Sequence, residues 1–290
     1  MPAMVGYPEL EFNSDILAEA TYDIRHRTIG LSPRRALEVD VTAPITRVPR
    51  ILPLPPTFSG AGMTHVGLVR ERNEDAILTD PGGTLWAVAD GMGGYGNGDV
   101  ASDIVIETLS RVPEQALPGP ALQASLREAN DSICKAAARG TGSMGATAVA
   151  LMIQNSVGTV AWVGDCRAYL LRGQALRLLT HDHTVVQDMV DRGLLDPAEG
   201  SHHPESHVVT RAVGYERDLE IDNISVPLVQ EDRLLLCSDG LTACLSDQDI
   251  TSHMRQATGP QTLCTSLVSA ALEMGAPDNV SVVAVFAGGA

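Results

Sequence analysis

Four aspartates in this chain stand where carboxylates could hold hard metal ions. Asp90 lies in Ala87-Val88-Ala89-Asp90-Gly91-Met92-Gly93-Gly94, and Asp165 in Val163-Gly164-Asp165-Cys166-Arg167. Asp239 lies in Leu236-Cys237-Ser238-Asp239-Gly240, and Asp278 in Pro277-Asp278-Asn279-Val280. The first three each end an apolar run with the composition of a buried strand. Asp278 stands just before another, Val280 to Phe286. Strand ends of one core can bring such carboxylates to one place. Mg²⁺ and Mn²⁺ need clustered carboxylate and carbonyl oxygens. A glycine after an aspartate has no Cβ, so its backbone can come close to an ion. A single Asp-Gly is ordinarily a turn. Three strand-end aspartates, each flanked by glycine or asparagine, are too many for that reading alone.

A second group precedes the first Asp-Gly: Arg70-x-x-Asn73-Glu74-Asp75. A guanidinium can clamp two oxygens of a phosphate with fixed geometry. Arg70 is equally open to a structural ion pair with Glu74 or Asp75. Two divalent ions sharing a carboxylate lower the pKa of a shared water and bind both oxygens of an in-line displacement. Joined to an arginine clamp, that is the equipment of a phosphoester hydrolase with no Ser or Cys nucleophile. No phosphocysteine loop is present.

These groups need a scaffold, and the chain supplies one. It has 290 residues, 44% of them hydrophobic and 3% aromatic, so its core is built of Val, Leu, Ile and Ala. The net charge is −16, which argues against a nucleic-acid or anionic-membrane surface. Five scattered cysteines without a Cys-x-x-Cys point to reduced thiols and a cytoplasmic setting. No apolar run is long enough for a bilayer, and no signal peptide is visible. Residues 1–60 read as a Pro-rich N-terminal tail with one short helix, Ile16 to Arg27, and Ser59-Gly60-Ala61-Gly62 stands at its junction with the rest.

From 61 to 290 the pattern is that of one domain. Thr64 to Val69, Ala76 to Thr79 and Thr84 to Ala89 read as strands. Gly98 to Arg111 and Ala121 to Arg139 read as helices. Strands follow at Ala146 to Gln154, Thr159 to Val163, Ala168 to Leu171 and Leu176 to Leu179. A helix over His183 to Arg192 leads into a polar excursion, Leu194 to His207. Strands at Leu219 to Val226 and Arg233 to Cys237 precede two helices and a last strand. This order lacks regular βαβ alternation and predicts an α+β layered sandwich. His181-Asp182-His183 and His202-His203 lack the ligand spacing of structural zinc.

Taken in order, the motifs resemble those of bacterial metal-dependent Ser/Thr protein phosphatases of the PPM, or type 2C, family. The likeness runs from about Met63 to Phe286. It covers Arg70-x-x-Asn-Glu-Asp, Asp90-Gly-Met-Gly-Gly, Gly164-Asp165-x-Arg, Thr180-x-Asp-His, His203-Pro, Thr210-Arg-Ala, Ser238-Asp-Gly-Leu and Asp278-Asn279. The resemblance implies a four-layer α-β-β-α sandwich of two antiparallel sheets flanked by helices, with metals in a cleft at one end. It implies two Mn²⁺ or Mg²⁺ ions and a weaker third. By matching position, Asp90 bridges the two ions and the Gly91 carbonyl ligates one. Asp239 and Asp278 ligate the other, and Asp165 joins Asp239 at the third. Glu74 and Asp75 support the site directly or through water, Arg70 holds the substrate phosphate, and 194–207 is a flap beside the cleft. The implied substrates are phosphorylated proteins, with a cognate Ser/Thr kinase as counterpart and a monomeric enzyme. A phosphatase-like module without turnover is the alternative, as is a dedicated phosphatase of type VI secretion control. Tyr95, Asp99 and Cys166 depart from common family residues without removing a ligand. Met92 stands where eukaryotic relatives carry a histidine, and it cannot donate a proton.

Overall fold

A computed structural model describes residues 55–80, 83–93 and 97–288. The expected helix Ile16 to Arg27, most of the Pro-rich segment and Tyr95 lie outside these residues. Among the described residues, ten strands form two antiparallel five-stranded sheets. One runs β1 (Thr57–His65), β10 (Val280–Gly288), β9 (Arg233–Cys237), β6 (Arg167–Arg172), β7 (Ala175–Leu178). The other runs β2 (Asp75–Thr79), β3 (Leu85–Gly93), β4 (Met144–Gln154), β5 (Val157–Val163), β8 (Asp222–Pro227). Helices α1 (Gly98–Ser110) and α2 (Pro118–Ala136) cover the second sheet. Helices α4 (Asp239–Thr242), α5 (Asp247–Gln256) and α6 (Pro260–Glu273) cover the first, and α3 (Val185–Asp191) stands at the flap. Among the described residues no helix is long and apolar enough to cross a membrane.

The layers follow from the two-residue period of a strand. In β3, Leu85, Ala87 and Ala89 pack toward α1 and α2, while Trp86 and Val88 pack between the sheets. In β10, Val282 and Ala284 face the helices, and Val283 and Val285 face the other sheet. Both faces are buried, which is why these strands read as unbroken apolar runs.

The start of the domain differs from the expectation. Strand β1 begins at Thr57, inside the segment read as a tail, and ends at His65 instead of Val69. Ser59-Gly60-Ala61-Gly62 looks like a linker because its residues are small, but smallness here serves packing. A Cβ at Gly60 would lie 2.2 Å from Trp86 Nε1, and one at Gly62 would lie 2.8 Å from Ile77 Cδ1. Tertiary contact thus overrides the local signal. Starting the chain at Ala61 instead of Pro55 removes four residue pairs between β1 and β10, together with Phe58, which packs on the inter-sheet core. We expect that truncation to cost about 2 kcal/mol and lower the melting temperature by roughly 4–8 °C. Equal melting of the two truncated chains would contradict the role given to β1.

Candidate active site

The inter-sheet face is apolar along most of its length and turns polar at one end. Continuing the alternation of β3 past Trp86 and Val88 brings Asp90 to that face. Its cross-strand partners are Asp75 on β2 and Thr147 on β4. Asp90 therefore does not end its strand, as the sequence predicted. The ladder continues through Gly91, Met92 and Gly93, paired to Ala146, Gly145 and Met144. From the facing sheet, Ser238 donates from Oγ to Asp75 Oδ2 at 2.8 Å, and Ser281 N donates to Ser238 Oγ at 3.0 Å.

Asp90, Asp165, Asp239 and Asp278 line one cleft of about 640 Å³, together with Arg70, Glu74 and Gly91. Asp75 lies buried behind it. Arg72, an unspecified position of Arg70-x-x-Asn73, also lines the wall. Asp239 opens α4 directly after β9, and Asp278 precedes β10 by two residues, so two adjacent strands deliver both.

Two glycines allow this convergence, for a reason other than access to an ion. A Cβ on Gly91 would lie 2.1 Å from the Gly98 carbonyl oxygen and 2.5 Å from that of Glu74. A Cβ on Gly240 would lie 1.9 Å from the Asn279 carbonyl oxygen. Backbone is pressed on backbone at both places.

Asn279 is the support that motif reading undervalued. It is buried, and its Nδ2 donates to the carbonyls of Val66 (2.8 Å) and Arg72 (2.9 Å). Its Oδ1 accepts from Glu74 N at 2.8 Å. One side chain thus fastens the Arg70 loop to the Asp278 turn. Arg167 does similar work for Asp165: its guanidinium donates Nε and Nη2 to Asp182, at 3.0 and 2.6 Å. That fork ties the Gly-Asp-x-Arg motif to the Thr-x-Asp-His motif.

Arg70 pairs with neither Glu74 nor Asp75. Its Nη2 donates to Asp278 Oδ2 at 2.6 Å, while the side chain stays more than half exposed at the rim. Glu74 Oε1 accepts from Gly98 N at 3.3 Å. On the flap side, His207 Nδ1 stands 3.6 Å from Asp239 Oδ2. His181 holds Asp191, and buried His183 accepts from Gly164 N. Among the described residues, no three His, Cys, Asp or Glu side chains close around one point as they lie. The aspartates line a cleft instead of forming a finished cage.

The donor set nonetheless fits hard cations. Burial pushes the Asp75 carboxyl up to about 6, against the pull of the Ser281 and Ser238 hydroxyls. Burial, then the charge of Asp239, pushes Asp165 up to about 7. Asp90 faces the cleft yet is crowded on its other sides. Burial and the charges of Asp75, Asp239 and Asp165 raise it well above the usual range. Asp75 Oδ1 is buried with no hydrogen-bond partner. Carboxylates that raise one another's pKa, with an orphaned oxygen among them, are satisfied by positive charge.

Residues 61–272 match the protein phosphatase 2C family, and the chain belongs to it. It is a protein-serine/threonine phosphatase by class. The serine/threonine phosphatase stp of Listeria monocytogenes is 31% identical over 77% of this chain and 93% of its own length. PstP of Mycobacterium tuberculosis is 35% identical over 77% of this chain and 44% of its own. Among solved structures, PppA of Pseudomonas aeruginosa, described as a key regulatory component of its type VI secretion system, superposes with a TM-score of 0.73. It is 37% identical over 80% of this chain and 99% of that one. The PstP catalytic domain complexed with two manganese ions gives a TM-score of 0.72 at 33% identity, over 80% of this chain and 98% of that one. The expected class and the two antiparallel sheets are thereby established.

Proposed function

We propose that the cleft binds two divalent ions, Mn²⁺ or Mg²⁺, with a weaker third, and hydrolyses phosphoserine and phosphothreonine in proteins. The observation that carries this reading is Asp90, paired across the strands with Asp75 and pressed by the charges of Asp239 and Asp165. On this reading Asp90 would be shared by the two ions, the Gly91 carbonyl would hold one of them, and Asp239 and Asp278 would hold the other. Asp165 and Asp239 would hold the third ion, with Glu74 and Asp75 in support. Bound there, divalent ions lower the pKa of water and offset charge on phosphoryl oxygens. Arg70 at the rim binds and orients the phosphate. Calorimetric titration of Mn²⁺ tests the ion count: two tight sites and one weak site are expected, and Asp165→Asn should remove the weak one alone. A single site in the wild type would refute the assignment.

The Arg70–Asp278 pair refines the role of Arg70. An ion pair this exposed contributes little to stability, so Arg70→Ala should melt close to wild type. The lost bidentate contact to phosphate should lower kcat/KM for an aryl phosphate roughly 30- to 1000-fold, or about 2–4 kcal/mol. Arg70→Lys should recover part of that, since a point charge lacks the fork. Unchanged kinetics with lowered stability would return Arg70 to a structural role.

The same reading sets a monomeric enzyme in the cytoplasm, opposing a Ser/Thr kinase and binding neither nucleic acid nor membrane. Five free cysteines and a net charge of −16 support it. The likeness to PppA favours a role in secretion-system control as the particular setting. Phosphoproteomics of a deletion strain would show whether secretion components gain phosphate.

A further inference from the structure

The cleft does not end at the aspartates. A second cavity, of about 320 Å³, lies beside it, and Met92, His207 and Val209 wall both. Ala212 and Leu219 line this second cavity with buried apolar surface, and Tyr215, two-thirds exposed, stands against it. Three exposed acidic residues, Glu216, Asp218 and Glu220, line it further, together with Thr210 and Arg211. Arg211 is the only cation other than histidine among the lining residues, and it is engaged, 3.3 Å from Glu220 and 3.7 Å from Asp222. No basic side chain among the described residues pairs with Glu216 or Asp218. The loop that carries them is anchored. Asn130 of α2 donates to the Glu216 carbonyl at 2.7 Å and accepts from Gly214 N at 2.6 Å.

We propose that this cavity receives a lysine or arginine side chain of the phosphoprotein, from a residue a few positions from the phosphorylated one. The proposal rests on the phosphatase reading of the neighbouring cleft and extends it to substrate choice. A long cationic side chain combines an apolar stem with a charged head. The stem matches Leu219 and Ala212, the head matches Glu216 and Asp218, and the Tyr215 ring offers a face to the cation. An acidic side chain there would meet Glu216 and Asp218, which no basic side chain among the described residues offsets. The shared walls place the two cavities side by side, and an extended peptide advances about 3.3 Å per residue, so neighbouring residues can fill both.

The test uses phosphothreonine peptides of one sequence in which arginine, alanine or glutamate is moved through each flanking position. kcat/KM is measured with the Mn²⁺-loaded full chain. One position is expected to favour arginine over alanine by about tenfold, some 1.4 kcal/mol, and to disfavour glutamate. In the double variant Glu216→Gln, Asp218→Asn, the arginine-to-alanine ratio should fall close to one. Because the ratio is taken within each variant, partial loss of folded protein does not affect it. Tyr215→Ala should lower the ratio in part. A flat wild-type profile, or a preference that survives the double variant, overturns the pocket while leaving the phosphatase reading intact. Loaded enzyme that hydrolyses none of the peptides overturns both.

Discussion

Asp90→Asn is expected to abolish turnover and, in the metal-free protein, to raise stability. The two effects have one cause. Asp90 belongs to a group of carboxylates held close by the strand register and by the turns that deliver Asp239 and Asp278. Their mutual repulsion is tolerated for what it can bind. Neutralising the central member should lower affinity for divalent ions, because it removes the carboxylate proposed to be shared by two of them. We expect kcat/KM at fixed Mn²⁺ to fall at least about 1000-fold, or roughly 4 kcal/mol in the barrier. In chelator at pH 8 the variant should melt about 3 °C or more above wild type, since a buried repulsive charge is gone. The pH dependence has a matching sign. Asp75 and Asp165 have folded pKa values of about 6 and about 7, above the usual aspartate value of about 4. The folded state binds their protons more tightly, so the contribution of these two carboxyls to metal-free stability is full below about pH 4 and is lost as pH rises from about 4 through 7. Saturating Mn²⁺ should reverse that slope, because the ligands must be ionised. Thermal melts with and without metal across this range check both statements. A variant that keeps wild-type rates would remove Asp90 from the site.

Gly240→Ala is the second large effect, and it is structural in origin. The added methyl would sit 1.9 Å from the Asn279 carbonyl, which is backbone and cannot rotate away. Relief requires the start of α4 to part from the start of β10. Those two segments carry Asp239 and Asp278, and Asn279 also fastens the Arg70 loop through Val66 and Arg72. We expect destabilisation of about 3 kcal/mol, or roughly 6–12 °C, with a loss of tight Mn²⁺ sites even in the fraction that folds. Calorimetry on protein that survives purification separates the two losses. Undiminished metal affinity would show that the two turns are not held in register by this contact.

Much of the site was legible in the sequence because its chemistry demands particular residue types. Aspartates beside glycines and an early arginine stand out against an apolar background, and all of them reach one cleft. The four layers were legible for a related reason, since strands buried on both faces are continuous apolar runs. What escaped depends on pairs far apart in the chain. Nothing local marks Asp278 as the partner of Arg70, 208 residues away. Asp90 read as a strand end because Asp-Gly usually turns, yet the pairing of Gly91 with Ala146 carries the strand onward. Ser59 to Gly62 read as linker because small residues fit a tail and a tight packing surface equally well. Asn279 and Ser238 were visible only as neighbours of aspartates. Their work, holding loops and Asp75, appears only when β9, β10 and β2 are brought together.

The claim that carboxylates gathered at the polar end of the inter-sheet core hold catalytic cations is tested most directly by one assay. Metal-stripped wild-type protein is mixed with a phosphothreonine peptide, and Mn²⁺ is titrated in while phosphate release is followed. The account predicts no release above background in chelator and a saturable rise to full rate with added Mn²⁺. Phosphate release in chelator equal to that of the Mn²⁺-loaded enzyme would contradict it.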